Sequence, residues 1–151
     1  MRCVGDIVWG PARLEACADA GVGGVFFWEV LGIAAADLSG ELAEREFPTG
    51  IGSCTTGRVR CGLSPHTPYT AGPELLRAMW NVSQRHGIGL AVHVAESPAE
   101  RELMLRGSGQ LAATAHRLAH GFRTPGAGSV AYLERLRVLQ AAVAVPCVPP
   151  D

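Results

Sequence analysis

Residues 88–100 read Ile-Gly-Leu-Ala-Val-His-Val-Ala-Glu-Ser-Pro-Ala-Glu. The first seven form a nearly continuous apolar run, which is typical of a strand buried on both faces of a parallel sheet. Ser97 and Glu100 have the spacing of a capping box, in which the serine accepts from the first helical turn and the glutamate reaches back. The stretch therefore predicts a strand over 88–94, a short turn, and a helix that ends at Gly107.

The same order of strand, turn and helix recurs along the chain. Other strand-like runs are Val4–Trp9, Val25–Leu31 and Val59–Leu63, and helical spacings cover a segment ending at Gly21, roughly 34–46, Pro73–His86, Leu111–His120 and 129 to about 139. This alternation indicates an α/β fold with a parallel sheet covered by helices. Two architectures fit, an open doubly wound sheet and part of a (β/α)8 barrel. Because a whole barrel needs about 250 residues, periodicity alone favours the open sheet.

Two proline-containing segments interrupt this pattern. Ser64–Thr70 contains two prolines and is predicted as a loop at the end of the third strand, with the next helix opening at Pro73. Residues 140–151 begin with an apolar run, but their prolines disfavour a strand at the end, so their assignment stays open. The chain, 1–151, is otherwise predicted as one domain.

Composition restricts the class of protein. Hydrophobic residues make up 48% of the 151 residues and charged residues 18%, which predicts a globular domain. The net charge is −1 and no block of like charges occurs, so neither nucleic acid nor a membrane surface is expected as a partner. Five cysteines without a Cys-x-x-Cys pair disfavour a disulfide framework and a structural zinc knot. We expect a cytoplasmic protein.

Unusual polar side chains lie near the predicted strand ends: Asp6, Glu29, His66, His93 and Glu96. Active groups gather at the carboxyl ends of strands in both candidate architectures. His93 with Glu96 three residues later suits a metal ligand beside a carboxylate that moves protons. A structural interpretation also fits, in which His93 bonds to backbone and Glu96 favours the N-terminus of the next helix. On spacing alone the structural interpretation is favoured.

The remaining candidates have competing explanations. His66, between two prolines, is either a substrate-facing imidazole or a turn residue in solvent. His86 falls in the last turn of a helix, where a cation complements the dipole. His116 and His120 have a spacing that can hold a metal, but a polar helix face explains them equally well. The cysteines are predicted mainly as small buried hydrophobes.

Gly62–Thr70 (Gly-Leu-Ser-Pro-His-Thr-Pro-Tyr-Thr) and Ala91–Ser97 (Ala-Val-His-Val-Ala-Glu-Ser), with their spacing, resemble the metal-dependent amidohydrolase superfamily. The resemblance is closest to the branch of chlorohydrolases, cytosine-deaminase-like enzymes and methylthioadenosine, S-adenosylhomocysteine or aminodeoxyfutalosine deaminases. Val4–Ile7 and Phe27–Gly32 are similar to two preceding strands of that family, and Gly128–Leu133 to a later helix. The resemblance implies a partial (β/α)8 TIM-type barrel, roughly strands three to six with their helices.

The same resemblance implies a chemistry. The activity would be hydrolytic deamination of a purine-like or other nitrogen-heterocycle substrate by a metal-activated water, or a related C–N or C–Cl hydrolysis. His93 would be the metal ligand at the end of the fifth barrel strand, Glu96 would move a proton from the water to the leaving group, and His66 would face the substrate. The cofactor implied is a divalent metal, zinc first and iron second. The sequence fixes neither the substrate nor the metal.

The sequence departs from that family in its ligand set. The His-x-His pair of the first strand, the histidine of the sixth and the aspartate of the eighth have no counterpart, so the other metal ligands are missing. We expect a central fragment of a barrel enzyme that is inactive alone and self-associates through exposed sheet edges. Two alternatives stay open: a non-catalytic α/β domain that binds a small ligand or partner, and a truncated product without function.

Overall fold

The computed structural model of the chain describes residues 3–9, 16, 19–31, 58–119, 122–139 and 142–145. These residues form five parallel strands in one sheet, β1 Cys3–Val8, β2 Gly23–Val30, β3 Val59–Pro65, β4 Gly89–His93 and β5 Ala142–Val145. They also form four helices, α1 Pro68–His86, α2 Pro98–Arg106, α3 Ala112–Leu118 and α4 Ser129–Arg135. The helix predicted over roughly 34–46, most of the one ending at Gly21, and His120 lie outside the described residues.

Each strand pairs in parallel with the next one along the chain. This order is that of a (β/α)8 barrel, whereas the order in an open doubly wound sheet reverses at a switch point. The predicted α/β partial barrel is confirmed. Within the open segment 140–151, Ala142–Val145 forms a strand beside β4. If β4 is counted as the fifth barrel strand, as the resemblance implies, β1 is the second, one strand earlier than expected.

The two faces of the sheet have different side chains. One face packs against α1 and α4 to form the main hydrophobic core, whose buried members include Phe26, Cys61, Leu63, Leu75, Leu76, Met79, Val82, Leu90, Val92 and Leu133. Full burial of one leucine side chain contributes about 1.5–3 kcal/mol to the free energy of unfolding. The strand register places Phe27, Glu29, Ser64 and His93 on the opposite face. Polar groups therefore collect on the face that becomes the inside of the barrel.

The Phe27 ring lies across two glycines of the neighbouring strands. A Cβ added to Gly62 would be 2.4 Å from Phe27 Cδ1, and one added to Gly89 would be 3.1 Å from Phe27 Cε1. These strands therefore need glycine at a point where an aromatic ring approaches their backbone. Phe27 lies two residues before Glu29 and therefore on the same face of β2. Its ring forms an apolar layer next to the polar residues at the strand ends.

The proline-containing segment 64–70 is more regular than predicted. β3 continues to Pro65 and α1 begins at Pro68, so two residues connect strand and helix. The first helical positions need no N–H donor, and proline is therefore tolerated there. The prediction of a loop over this whole segment is wrong, because its prolines lie at the ends of regular elements. Gly72, with a φ of 76°, interrupts α1, and Pro73 opens the second part of the helix where predicted.

The helix ends follow the sequence signals in part. Gly87 and Gly107 adopt left-handed φ angles of 64° and 71° and end α1 and α2 as predicted. α4 ends at Arg135, earlier than predicted, and Arg137 then takes a φ of 61° that a helix does not continue through. None of the described helices has the length and apolar character needed to cross a bilayer.

Candidate active site

Four ionisable side chains of the described residues meet at the carboxyl ends of β2, β3 and β4. Glu29 lies one residue before the end of β2, His66 follows β3, His93 ends β4, and Glu96 lies in the turn after it. Neighbouring parallel strands end at the same edge of a sheet, so these side chains converge. The structure thus brings together the three predicted site residues. Glu29, noted in the sequence but given no role, joins them.

His93 lies at the centre of this cluster. Its Nε2 is 3.3 Å from Glu29 Oε1, and its Nδ1 is 3.3 Å from Glu96 Oε1. The Glu29 side chain is 7% exposed and the Glu96 side chain is 34% exposed, so Glu29 is buried and Glu96 is partly accessible to solvent. Nδ1 is buried and has no hydrogen bond from any described residue, since its approach to Glu96 has the distance of an ion pair without hydrogen-bond geometry.

His66 is fixed beside His93. The two rings meet edge to face, with centroids 5.4 Å apart and planes at 67°. The Thr70 hydroxyl lies 2.8 Å from His66 Nδ1 and holds the ring. The His66 N–H donates to the Val30 carbonyl at 3.0 Å, and its own carbonyl accepts from the His93 N–H at 2.9 Å. The connection from β3 to α1 is therefore tied to both adjacent strands.

The surroundings of His66 determine its charge. Burial lowers its pKa from the usual 6.5, the Glu29 carboxylate raises it, His93 lowers it and Glu96 raises it, with a lowered pKa as the result. At pH 7 the ring is therefore neutral, with one nitrogen as a donor and the other as an acceptor.

The Glu100 side chain hydrogen-bonds to the turn that carries Glu96. The Glu100 carboxylate accepts from the backbone N–H of Ala95 at 3.0 Å, from that of Glu96 at 2.8 Å, and from the Ser129 hydroxyl. Only one of the two hydrogen bonds of the predicted capping box is present: Ser97 Oγ accepts from the backbone N–H of Glu100 at 3.2 Å. Glu100 reaches back beyond Ser97, because Ala95, at a φ of 54°, turns two successive N–H groups toward it.

Other sequence candidates lie outside the cluster. Asp6 is exposed, and its carboxylate accepts from the N–H of Ile7 at 2.9 Å. It pairs in register with Phe26, three residues before Glu29, which leaves it about 10 Å short of the cluster. Its expected place at a strand end is wrong because β1 continues to Val8.

The remaining histidines of the described residues have ordinary helical positions. His86 is exposed in the last turn of α1, where a cation is favoured, and His116 is exposed on α3. His120, whose spacing from His116 also suits a metal pair, lies outside the described residues.

Sequence reasoning missed Ser64. Its Oγ is buried without a hydrogen-bond partner among the described residues, and it is paired in register with Glu29. A hydroxyl inside an otherwise apolar strand was the available signal, since buried polar atoms are normally hydrogen-bonded. Ser64 marks the inner face of β3 as polar.

The described donor set does not complete a metal site. Within the part of the chain that the structure describes, no three His, Cys, Asp or Glu side chains are arranged to hold a metal ion. A zinc ion needs three or four protein ligands. His93 nevertheless fits one ligand position, because its buried Nδ1 has no hydrogen-bond partner among the described residues and each of its two ring nitrogens faces a carboxylate.

Sequence comparison identifies relatives over most of the chain. A model of the Amidohydrolase family matches residues 10–143. An aminodeoxyfutalosine deaminase from Deinococcus radiodurans is 36% identical over 157 residues, which covers 91% of this chain and 36% of the relative. A 5-methylthioadenosine/S-adenosylhomocysteine deaminase from Caldanaerobacter subterraneus subsp. tengcongensis is 37% identical over 54 residues, or 36% of this chain and 12% of the relative. The chain therefore spans little more than a third of the length of the Deinococcus relative.

Solved structures share the fold. The aminofutalosine deaminase of Helicobacter pylori in complex with methylthio-coformycin matches with a TM-score of 0.66 and 18% identity over 80% of this chain and 30% of that one. The atrazine chlorohydrolase TrzN from Arthrobacter aurescens complexed with zinc matches with a TM-score of 0.63 and 16% identity over 99% of this chain and 34% of that one. With the strand order, the polar inner face and the family match, the conclusion is that the chain belongs to the amidohydrolase family.

Proposed function

We propose that the chain contributes to a metal-dependent hydrolytic deaminase that acts on a purine-like or other nitrogen heterocycle. The observation that carries this proposal is the convergence of Glu29, His66 and Glu96 around His93 in a member of the amidohydrolase family. The names of the relatives support deamination, since methylthioadenosine and S-adenosylhomocysteine share an aminopurine ring. The activity of the complete protein is part of the proposal, because the chain covers 36% of the Deinococcus relative.

His93 would be one ligand of a divalent metal, with further ligands supplied from outside the described residues. When bound, such a metal lowers the pKa of water toward neutrality and polarises the bond that is attacked. Imidazole binds both zinc and iron, and the zinc-bound chlorohydrolase supports zinc as the first choice. Glu29, at 3.3 Å from Nε2, would orient the ring as a carboxylate commonly does for a metal-bound histidine.

Glu96 would carry the proton. Hydrolytic deamination adds water to a ring carbon and releases ammonia, so a proton from the water must reach the departing nitrogen. A carboxylate that first accepts and then donates this proton satisfies both steps. Glu96 is suited to this role because its side chain is partly exposed and its Oε1 lies 3.3 Å from His93 Nδ1.

His66 would bind the substrate. Thr70 contacts Nδ1, which leaves Nε2 as the nitrogen that can hydrogen-bond to a ligand. The lowered pKa keeps the ring neutral at pH 7, so a substrate nitrogen or hydroxyl can pair with it without the cost of burying a charge. The edge-to-face contact between the His66 and His93 rings supports a substrate-binding role for His66.

The test is ammonia release from four compounds: aminodeoxyfutalosine, 5-methylthioadenosine, S-adenosylhomocysteine and 5′-deoxyadenosine. It uses the zinc-loaded chain, extended by any flanking coding sequence that supplies the other ligands. Deamination that is lost in Glu96→Gln with metal content unchanged supports the proposal. Full activity in Glu96→Gln, or in His93→Ala, refutes it.

Several expectations from the sequence remain predictions. They are the assignment of 1–151 to a single partial barrel domain, the cytoplasmic location, the lack of nucleic-acid and membrane partners, and self-association through sheet edges. The last has a structural basis in β1, where Val4 is 40% exposed and β2 is the one neighbour among the described strands.

A further inference from the structure

We propose that Glu100 is a positioning residue of this site, whose buried carboxylate holds the backbone of Ala95 and Glu96 so that the Glu96 side chain faces His93. The inference rests on the proposed role of Glu96 and concerns how that side chain is oriented. Glu100 itself has no contact with His93 or His66 among the described hydrogen bonds and ion pairs, so it would act through the turn.

Both carboxylate oxygens of Glu100 are in use. Oε1 accepts from the Ala95 N–H and the Ser129 hydroxyl, and Oε2 accepts from the Glu96 N–H. Glu100 is 1% exposed, and hydrogen-bond donors of this kind offset the cost of burying its polar oxygens. Its charge also acts on a neighbour, since burial raises the pKa of Tyr69 and the Glu100 carboxylate raises it further.

The turn has a conformation that requires support. Ala95 has a φ of 54°, a left-handed conformation that is unfavourable for a residue with a Cβ. This conformation points the N–H groups of Ala95 and Glu96 toward the same side, and successive N–H groups so arranged form a concave site for an anion. The Glu100 carboxylate occupies that concavity, so it stabilises the strained turn.

The same contacts link the turn to the rest of the fold. Ser129, which begins α4, is 29 residues from Glu100 along the chain, and Leu133 of the same helix is fully buried in the main core. Glu96 follows Ala95 directly, so a change of the Ala95 backbone angles would redirect its side chain. The 3.3 Å approach of Glu96 to His93 therefore depends on Glu100.

The first test is backbone amide exchange, measured by NMR on the uniformly labelled chain. Glu100→Gln keeps the size of the side chain but turns one acceptor into a donor that faces an N–H group. The matched control is Glu102→Gln on the same helix, where the exposed carboxylate accepts from the Ser108 hydroxyl at 3.0 Å.

Loss of a charge-assisted hydrogen bond should speed exchange at Ala95 and Glu96 about tenfold or more in Glu100→Gln. Amides of β4 should keep their rates in this variant, and Glu102→Gln should leave Ala95 and Glu96 within about twofold. Unchanged exchange at both positions in Glu100→Gln overturns the proposal. If that variant does not fold, Ser129→Ala replaces it, where faster exchange at these two amides supports the proposal and unchanged exchange overturns it.

The second test is a double-mutant cycle on ammonia release. If Glu100 acts through Glu96, Glu100→Gln lowers kcat with KM within about twofold, and adding it to Glu96→Gln causes no further loss. Losses that multiply would show a general structural role and overturn the proposal. Failure of the proposed function gives a different result, because Glu96→Gln would then keep its kcat. The exchange rates at Ala95 and Glu96 would still report whether Glu100 holds the turn.

Discussion

Replacing Ala95 with glycine should stabilise the protein, because Ala95 has a φ of 54° that glycine adopts freely. The left-handed conformation costs an L-residue about 1–2 kcal/mol. Part of this gain is lost, because glycine makes the unfolded chain more flexible and so raises the entropic cost of folding by about 0.5–1 kcal/mol. The hydrogen bond from the residue 95 N–H to Glu100 is retained. The net expectation is a gain of about 0.5–1 kcal/mol in the free energy of unfolding.

Urea unfolding of the wild-type chain and Ala95→Gly measures this difference as a shift of the midpoint at constant slope. The matched control is Ala78→Gly in the second part of α1, where the same change should cost about 1 kcal/mol. The two substitutions are thus expected to have opposite signs. A loss of stability in Ala95→Gly would mean that residue 95 does not occupy the left-handed region, and the support assigned to Glu100 would lose its basis.

Three further outcomes are expected. Glu96→Gln should lower kcat for deamination by about 10²–10⁴-fold, as is typical when a general acid–base group is removed, with bound metal unchanged by elemental analysis. His93→Ala should lower the metal content of the zinc-loaded chain, and equal metal in both proteins would contradict the ligand role. NMR titration should give His66 a pKa below 6.5. Because its folded pKa is lowered, its contribution to stability is present above pH 6.5 and is lost as the pH falls through the folded pKa, an effect that should vanish in His66→Gln.

The sequence predicted the parts of the fold that depend on local patterns. The apolar run before His93 and the glycine at 107 define β4 and the end of α2 with small errors at the boundaries. The convergence of His66, His93 and Glu96 also follows, because parallel strands end at one edge. These features need only the hydrophobic period and the positions of a few glycines.

Other features depend on contacts that local patterns do not contain. Ser97 and Glu100 match a capping box, but the observed partner of the Glu100 carboxylate is set by the left-handed Ala95 and by Ser129, which is distant in sequence. The prolines of 64–70 suggested a loop because their exact place at the end of β3 and the start of α1 depends on strand register.

The electrostatics of the cluster connect its geometry with the proposed cofactor. Two carboxylates, Glu29 and Glu96, lie within 3.3 Å of one imidazole, and the first is 7% exposed. Both carboxylates act on the neighbouring His66, whose pKa is lowered by burial and raised by each of them, so the potential around the two rings is negative. A negative potential of this kind favours a bound cation, and this is the electrostatic basis for the ligand role proposed for His93. The free energy of binding such a cation would add to the stability of the folded state.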